Sequence, residues 1–210
     1  MTSDQARAFW EGRYGDPSYL FGEEPNAFLE RQADGLRPGM TVLAVADGEG
    51  RNGVWLARRG LTVTSTDISP KAVAKARALA ARHGVEIDAQ LADLDAWDWP
   101  VAAFDVVVGV FVQFAPPAMR DRLFARMKQA LKPGGLLLLE GYRPEQLAYG
   151  TGGPGQVENL YTEALLRDAF ADMTVVSLVS CDVEITEGTG HSGRSALIDL
   201  VATRPEPAAA

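Results

Sequence analysis

Short β-branched, apolar runs recur along the chain and alternate with stretches of helical spacing. The pattern predicts strands at 40–46, 61–66 and 86–91, with helices at 51–59 and 70–82 between them. Ser69-Pro70 marks a helix start, serine as the N-cap and proline at the first helical position. Phe104-Asp105-Val106-Val107-Val108-Gly109-Val110 is nearly continuous in apolar side chains, as in a central strand covered on both faces. A helix near 117–131, closed by Lys132-Pro133-Gly134-Gly135, leads to a fifth strand at Leu136-Leu137-Leu138-Leu139. After residue 141 the alternation stops. Tyr149-Gly150-Thr151-Gly152-Gly153-Pro154-Gly155 reads as a mobile loop, and a helix near 161–170 precedes two long strands, 173–185 and 194–203. Thr186 to Gly193 forms the turn between them.

Two segments fall outside this alternation. Residues 1–39 crowd Phe9, Trp10, Tyr14, Tyr19, Phe21 and Phe28 around predicted helices at 4–12 and 26–35, and read as an N-terminal helical cap. Residues 205–210 read as a frayed tail. The expected fold is α/β: one domain over 1–210, with a doubly wound, seven-stranded Rossmann-like sheet, mostly parallel, whose last strand is antiparallel. Ligands on such sheets bind beyond the carboxyl ends of the parallel strands.

The chain has 210 residues, of which 47% are hydrophobic, enough for a sizeable core. A formal net charge of −8 argues against nucleic-acid binding, which depends on basic side chains neutralising phosphates. No apolar run approaches the roughly 20 residues that span a bilayer. One cysteine, Cys181, and no Cys/His cluster fit a reducing compartment and no structural metal. The expectation is a cytoplasmic protein acting on a small molecule, with no nucleic-acid or membrane partner, as a monomer or a homodimer.

Candidate chemistry concentrates where the first strand meets its helix. Val42-Leu43-Ala44-Val45-Ala46-Asp47-Gly48-Glu49-Gly50-Arg51-Asn52-Gly53 is a strand, a glycine loop and a helix start, in which glycine lets a backbone approach a nucleotide. Asp67 follows Gly48 by nineteen residues at the end of the second run, placed to accept from both ribose hydroxyls. The literal G-x-G-x-x-G keeps a nicotinamide-dependent oxidoreductase open. Three features favour S-adenosylmethionine instead: Ala92-Asp93-Leu94 after the third strand, Leu131-Lys132-Pro133-Gly134-Gly135-Leu136 before the fifth, and the closing hairpin.

With these motifs the chain resembles the class I S-adenosylmethionine-dependent methyltransferases over nearly its whole length. Phe9-Trp10-Glu11-Gly12-Arg13-Tyr14, Phe21-Gly22-Glu23-Glu24-Pro25-Asn26-Ala27-Phe28-Leu29 and Gly48-Glu49-Gly50-Arg51-Asn52 are similar to the tellurite-resistance and thiopurine methyltransferase-like branch. The resemblance implies a cofactor set of Trp10, Tyr14, Tyr19, Ala46, Asp47, Gly48, Gly50, Arg51, Asn52, Asp67, Ile68, Ser69, Asp93, Leu94, Val110 and Phe111. It also implies methyl transfer to a small acceptor, such as a thiol or a chalcogen oxyanion. The sequence departs from the family at Ala44, where an acid is usual, and at Ala46, where glycine is usual. Asp47 is a candidate replacement carboxylate beside the methionine ammonium, and a non-catalytic cofactor-binding protein is the alternative reading. His191, Tyr142 and Arg143 are the candidates for chemistry. His191 is read either as a substrate contact or general base, or as an ordinary hairpin residue. Arg143 is read as a possible anion binder.

Overall fold

The computed structural model describes residues 2–206; positions 207–210 of the expected tail lie outside the described residues. The strands are β1 (Thr41–Ala44), β2 (Thr62–Asp67), β3 (Asp88–Leu91), β4 (Phe104–Val110), β5 (Leu131–Tyr142), β6 (Thr174–Glu187) and β7 (His191–Thr203). They form a seven-stranded sheet in the order β3-β2-β1-β4-β5-β7-β6. β1 pairs parallel with β2, β2 with β3, and β4 with β5, whereas β7 runs antiparallel to β5. The expected fold class is therefore the one observed. Among the described residues no helix is long and apolar enough to cross a membrane.

The chain divides into two compact units. The first holds residues up to Trp97 together with Thr186–His191, and the second holds Asp98–Ile185 with Ser192 onward. In the first unit the helices are α1 (Ser3–Arg13), α2 (Ala27–Arg31), α3 (Arg51–Arg58) and α4 (Pro70–Arg82). α1 opens with a capping box, in which the Thr2 side chain and Gln5 satisfy each other's backbone N–H. α4 opens as its sequence signals: the Ser69 side chain accepts from Ala72 N–H and Pro70 occupies the first turn. The helix expected at 26–35 is shorter. It ends at Arg31 with Gln32 as its C-cap, and Ala33–Gly35 continues as a 3-10 turn; aspartate and glycine there are poor helix formers.

In the second unit α5 (Pro117–Ala130) and α7 (Glu163–Ala169) flank the sheet, and a short α6 (Gln146–Tyr149) follows β5. β5 begins earlier than expected, and its pairing with β4 shifts register between Phe104 and Val106. The glycine-rich segment after α6 is tied down: the Gln146 side chain donates to Thr151 Oγ1 at 3.0 Å and to the Gly152 carbonyl at 3.1 Å. The β6–β7 turn is tighter than the sequence reading, because Glu187 and His191 are already strand residues.

Candidate functional site

The glycine loop is built as a backbone device. Ala46 has φ 49°, Gly48 62° and Gly50 90°, three left-handed residues in five. Ala46 thus adopts the conformation for which the family uses glycine, at a cost that L-residues bear in this region. Ala46→Gly should relieve about 1–2 kcal/mol of crowding and lose about 0.5–1 through glycine's freedom when unfolded. The expected result is a slightly raised thermal midpoint, measured by calorimetry. The two loop glycines answer to different neighbours. A Cβ on Gly48 would lie 2.9 Å from the Tyr14 hydroxyl, and one on Gly50 would lie 2.6 Å from Ala76 Cβ. Gly50 is thus demanded by the packing of α3 on α4, and Gly48 by the approach of Tyr14.

Asp67 closes the loop from β2. Its Oδ2 accepts Gly48 N–H at 3.0 Å and its Oδ1 accepts Ser69 N–H at 2.8 Å. Burial pushes its carboxyl up to about 6, against the pull of these N–H donors. Each oxygen keeps further acceptor capacity, since an ionised carboxylate offers about four lone-pair sites. The residues present therefore fit a ribose diol. Asp47, the candidate carboxylate for the methionine ammonium, commits one oxygen to the loop itself. Its Oδ2 accepts from Gly53 N–H at 3.0 Å and from Ser65 Oγ at 3.2 Å, beneath the loop. Burial raises it to about 7, with those two donors opposing. The side chain braces the first turn of α3 from below, a loop-ordering task that suits the position left without an acid at Ala44.

Polar and charged residues, Arg51 and Asn52 of the expected cofactor set among them, hold the N-terminal segment against this loop. Glu49 accepts from Leu20 N–H at 2.7 Å and pairs with Lys75 Nζ at 2.7 Å. Asn52 Oδ1 accepts from Asn26 N–H at 2.9 Å. Glu11 accepts from Ser69 Oγ, and from Lys71 N–H at 2.8 Å. The hairpin tip completes the set. Arg51 donates to Glu187 at 2.7 Å, Asn26 Nδ2 donates to the same carboxylate at 3.0 Å, and Gly190 N–H donates to the Leu20 carbonyl at 2.9 Å. Burial alone would raise Glu187, but His191 and Arg51 together hold it down to about 2. His191 Nδ1 lies 3.8 Å from Glu187 Oε2. Burial lowers the imidazole, Glu187 opposes this, and Arg51 and Arg13 reinforce it.

Above the loop stands an aromatic cluster. Trp10 stacks on Tyr14 at 5.6 Å, Tyr14 meets Phe21 edge-on at 6.3 Å, and Phe21 meets His191 at 4.4 Å. Tyr19 is not part of it. Its ring packs with Val54, Leu79 and Ala80, and its hydroxyl donates to the Lys75 carbonyl at 3.0 Å. Asp93 Oδ1 accepts from Asp95 N–H at 3.2 Å, which caps a turn, and Leu94 beside it is buried. The first unit thus brings Trp10, Tyr14, Ala46, Gly48, Asp67 and His191 to one neighbourhood.

The second unit carries the remaining candidates. Val110 ends β4, and Phe111, at φ 55°, stacks on Tyr142 at 4.6 Å. Tyr142 is buried with Leu160, Ile185 and Leu197. Gln113, which the sequence reading did not single out, clamps it: the amide donates to the Tyr142 carbonyl at 2.9 Å and accepts from Tyr142 N–H. Arg143 corrects its expectation. Its guanidinium is engaged by Asp182, by the Leu197 carbonyl at 3.0 Å and by Glu145 at 3.6 Å, so it is a structural tie and not an open anion binder.

Residues 42–135 match a family model described as a methyltransferase domain. That stretch is similar to the S-adenosylmethionine-dependent methyltransferases. The likeness points to S-adenosylmethionine as the cofactor in preference to a nicotinamide. A ubiquinone biosynthesis O-methyltransferase of Paramagnetospirillum magneticum is 32% identical over 145 residues, covering 63% of this chain and 57% of its own. The chain spans between 35% and 57% of the length of the curated relatives it matches. A solved structure described as the conversion of a disulfide bond into a thioacetal group during echinomycin biosynthesis superposes at TM-score 0.78 with 20% identity. It covers 98% of this chain and 92% of that one. TehB from Haemophilus influenzae superposes at 0.70 with 17% identity, covering 94% and 66%. At these identities the structural likeness shows the fold.

Proposed function

We propose that this protein moves the methyl group of S-adenosylmethionine to a soft nucleophile, a thiol or related chalcogen, on a small molecule. The observation that carries the reading is His191. It is 9% exposed, lies against Phe21, and sits beside an ionised Glu187 in the same unit as the Gly48–Asp67 loop. The bound cofactor supplies an electrophilic methyl on a sulfonium, and the chain supplies position and a proton acceptor. Asp67 takes the ribose. Trp10, Tyr14 and Phe21 exclude water and offer π-faces toward a cation. A thiol reaching the site loses its proton to the neutral imidazole as its sulfur pair forms the new bond to carbon and the old carbon–sulfur bond breaks. Burial keeps that imidazole neutral below the usual histidine range, so it is ready as a base at neutral pH.

The structure reported for echinomycin biosynthesis, which concerns a disulfide, supports a sulfur acceptor. A formal net charge of −8 supports a small acceptor over nucleic acid. The left-handed Ala46 and the loop-bracing Asp47 remove the main argument for a non-catalytic binder, since both departures are accommodated.

The test is S-adenosylhomocysteine formation over a panel of thiols, phenols and carboxylates. His191→Gln is expected to lower kcat on the preferred thiol roughly 10²- to 10⁴-fold, with S-adenosylhomocysteine affinity held within about twofold. Wild-type turnover should persist at pH values below the ordinary histidine range. Binding without turnover of any acceptor would sink the proposal in favour of the non-catalytic reading.

A further inference from the structure

One cation of the first unit's loop-facing cluster makes neither an ion pair nor a hydrogen bond among the described residues. Arg51 is paired with Glu187, Lys75 with Glu49, and Lys71 Nζ donates to the Glu11 carbonyl at 3.1 Å. Arg13 is different. Its guanidinium lies 5.9 Å from the Phe9 ring centroid, 5.5 Å from Trp10 and 5.7 Å from Phe21, and among the described residues it contacts no acid. Three aromatic faces hold the group in place without using its N–H donors, which remain open in a planar fork.

Its position follows from the residue beside it. Tyr14 ends α1, and its hydroxyl comes within van der Waals reach of the loop at Gly48, whose N–H is held by Asp67. A ligand anchored by its ribose at Asp67 and extending along Gly48 therefore runs toward Tyr14 and Arg13. Asp47, the sequence-level candidate for that end of the ligand, is turned beneath the loop onto Gly53 and Ser65.

We propose that Arg13 binds the α-carboxylate of the methionine end of the cofactor, through charge-assisted hydrogen bonds from its ring-supported guanidinium. This rests on the cofactor assignment above. It assigns the first helix a direct ligand contact in addition to its aromatic cover.

The test compares two probes on the same proteins by calorimetry: S-adenosylhomocysteine, which carries the carboxylate, and 5′-methylthioadenosine, which lacks the whole amino-acid end. Arg13→Ala and Arg13→Gln are expected to weaken S-adenosylhomocysteine about 10- to 100-fold and to leave 5′-methylthioadenosine within about twofold. Arg13→Lys should recover part of the loss. Thermal midpoints without ligand establish that each variant is folded. If both probes weaken equally, or neither does, Arg13 is a packing residue and the proposal is overturned. If the wild-type protein binds neither probe, the cofactor assignment itself fails and takes this inference with it.

Discussion

Asp67→Ala is expected to abolish measurable cofactor binding. The carboxylate serves the site twice, holding Gly48 N–H and Ser69 N–H while presenting its remaining lone pairs to a ribose diol. Hydrogen bonds to a charged acceptor contribute about 1.5–3 kcal/mol each, so losing two from the ribose weakens binding roughly 10²- to 10⁴-fold. Calorimetry with S-adenosylhomocysteine reads this directly. The pH dependence has a definite sign. With Asp67 at about 6 in the cofactor-free protein, binding to the ionised form strengthens as pH rises through 6. Affinity at pH 5 should be about tenfold below that at pH 7, and Asp67→Asn should flatten the dependence.

Stability without cofactor moves the opposite way. Asp47 and Asp67 are raised above the ordinary 3.8 to about 7 and about 6. Between pH 4 and 7 the folded protein therefore holds protons that the unfolded chain has released. Their contribution is fully present at low pH and is lost as pH climbs through those values. Affinity and intrinsic stability thus change in opposite directions across neutral pH, and ligand makes up the difference.

The largest effect on folding is expected from Arg51→Ala. Arg51 and Glu187 have side-chain exposures of 7% and 10%, and the pair also holds Phe21 and Asn26. Removing one member leaves a buried charge with incomplete compensation, which costs about 3–5 kcal/mol. A chain of this length should lose on the order of 10 °C in midpoint. Urea titration checks the loss. The double variant Arg51→Met with Glu187→Leu should recover much of it, since the cost lies in the unpaired charge. Glu187 falls from an ordinary 4.5 to about 2 in the folded state. Its contribution is therefore present above pH 4.5 and is lost as pH falls toward 2.

Local signals read well from the sequence. Ser69-Pro70, the glycine loop and Asp67 each act through neighbours within a few residues or through one adjacent strand. What remained hidden depends on partners remote along the chain. Asn26 and Glu187 are separated by 161 positions, and Arg51 and Glu187 by 136. No pattern in either segment announces the other. Arg143 was misread for a related reason: residue type suggested an open anion binder, while a carboxylate remote in sequence had already engaged it. Tyr19 lies among aromatics in sequence but packs on α3 and α4 in space.

The hairpin tip has a consequence for how the chain comes off the ribosome. Residues 186–191 belong to the compact unit otherwise made by the first 97 residues. When that N-terminal stretch emerges, Arg51 and Asn26 have no Glu187 to meet, and Leu20 has no Gly190. The nascent first unit must wait, with its cap loose, until residues 186–191 have been synthesised. Such non-local closure slows folding and prolongs exposure of aromatic surface. Chains ending before residue 186 should accordingly depend on chaperones or aggregate, even though they contain every residue of the glycine loop.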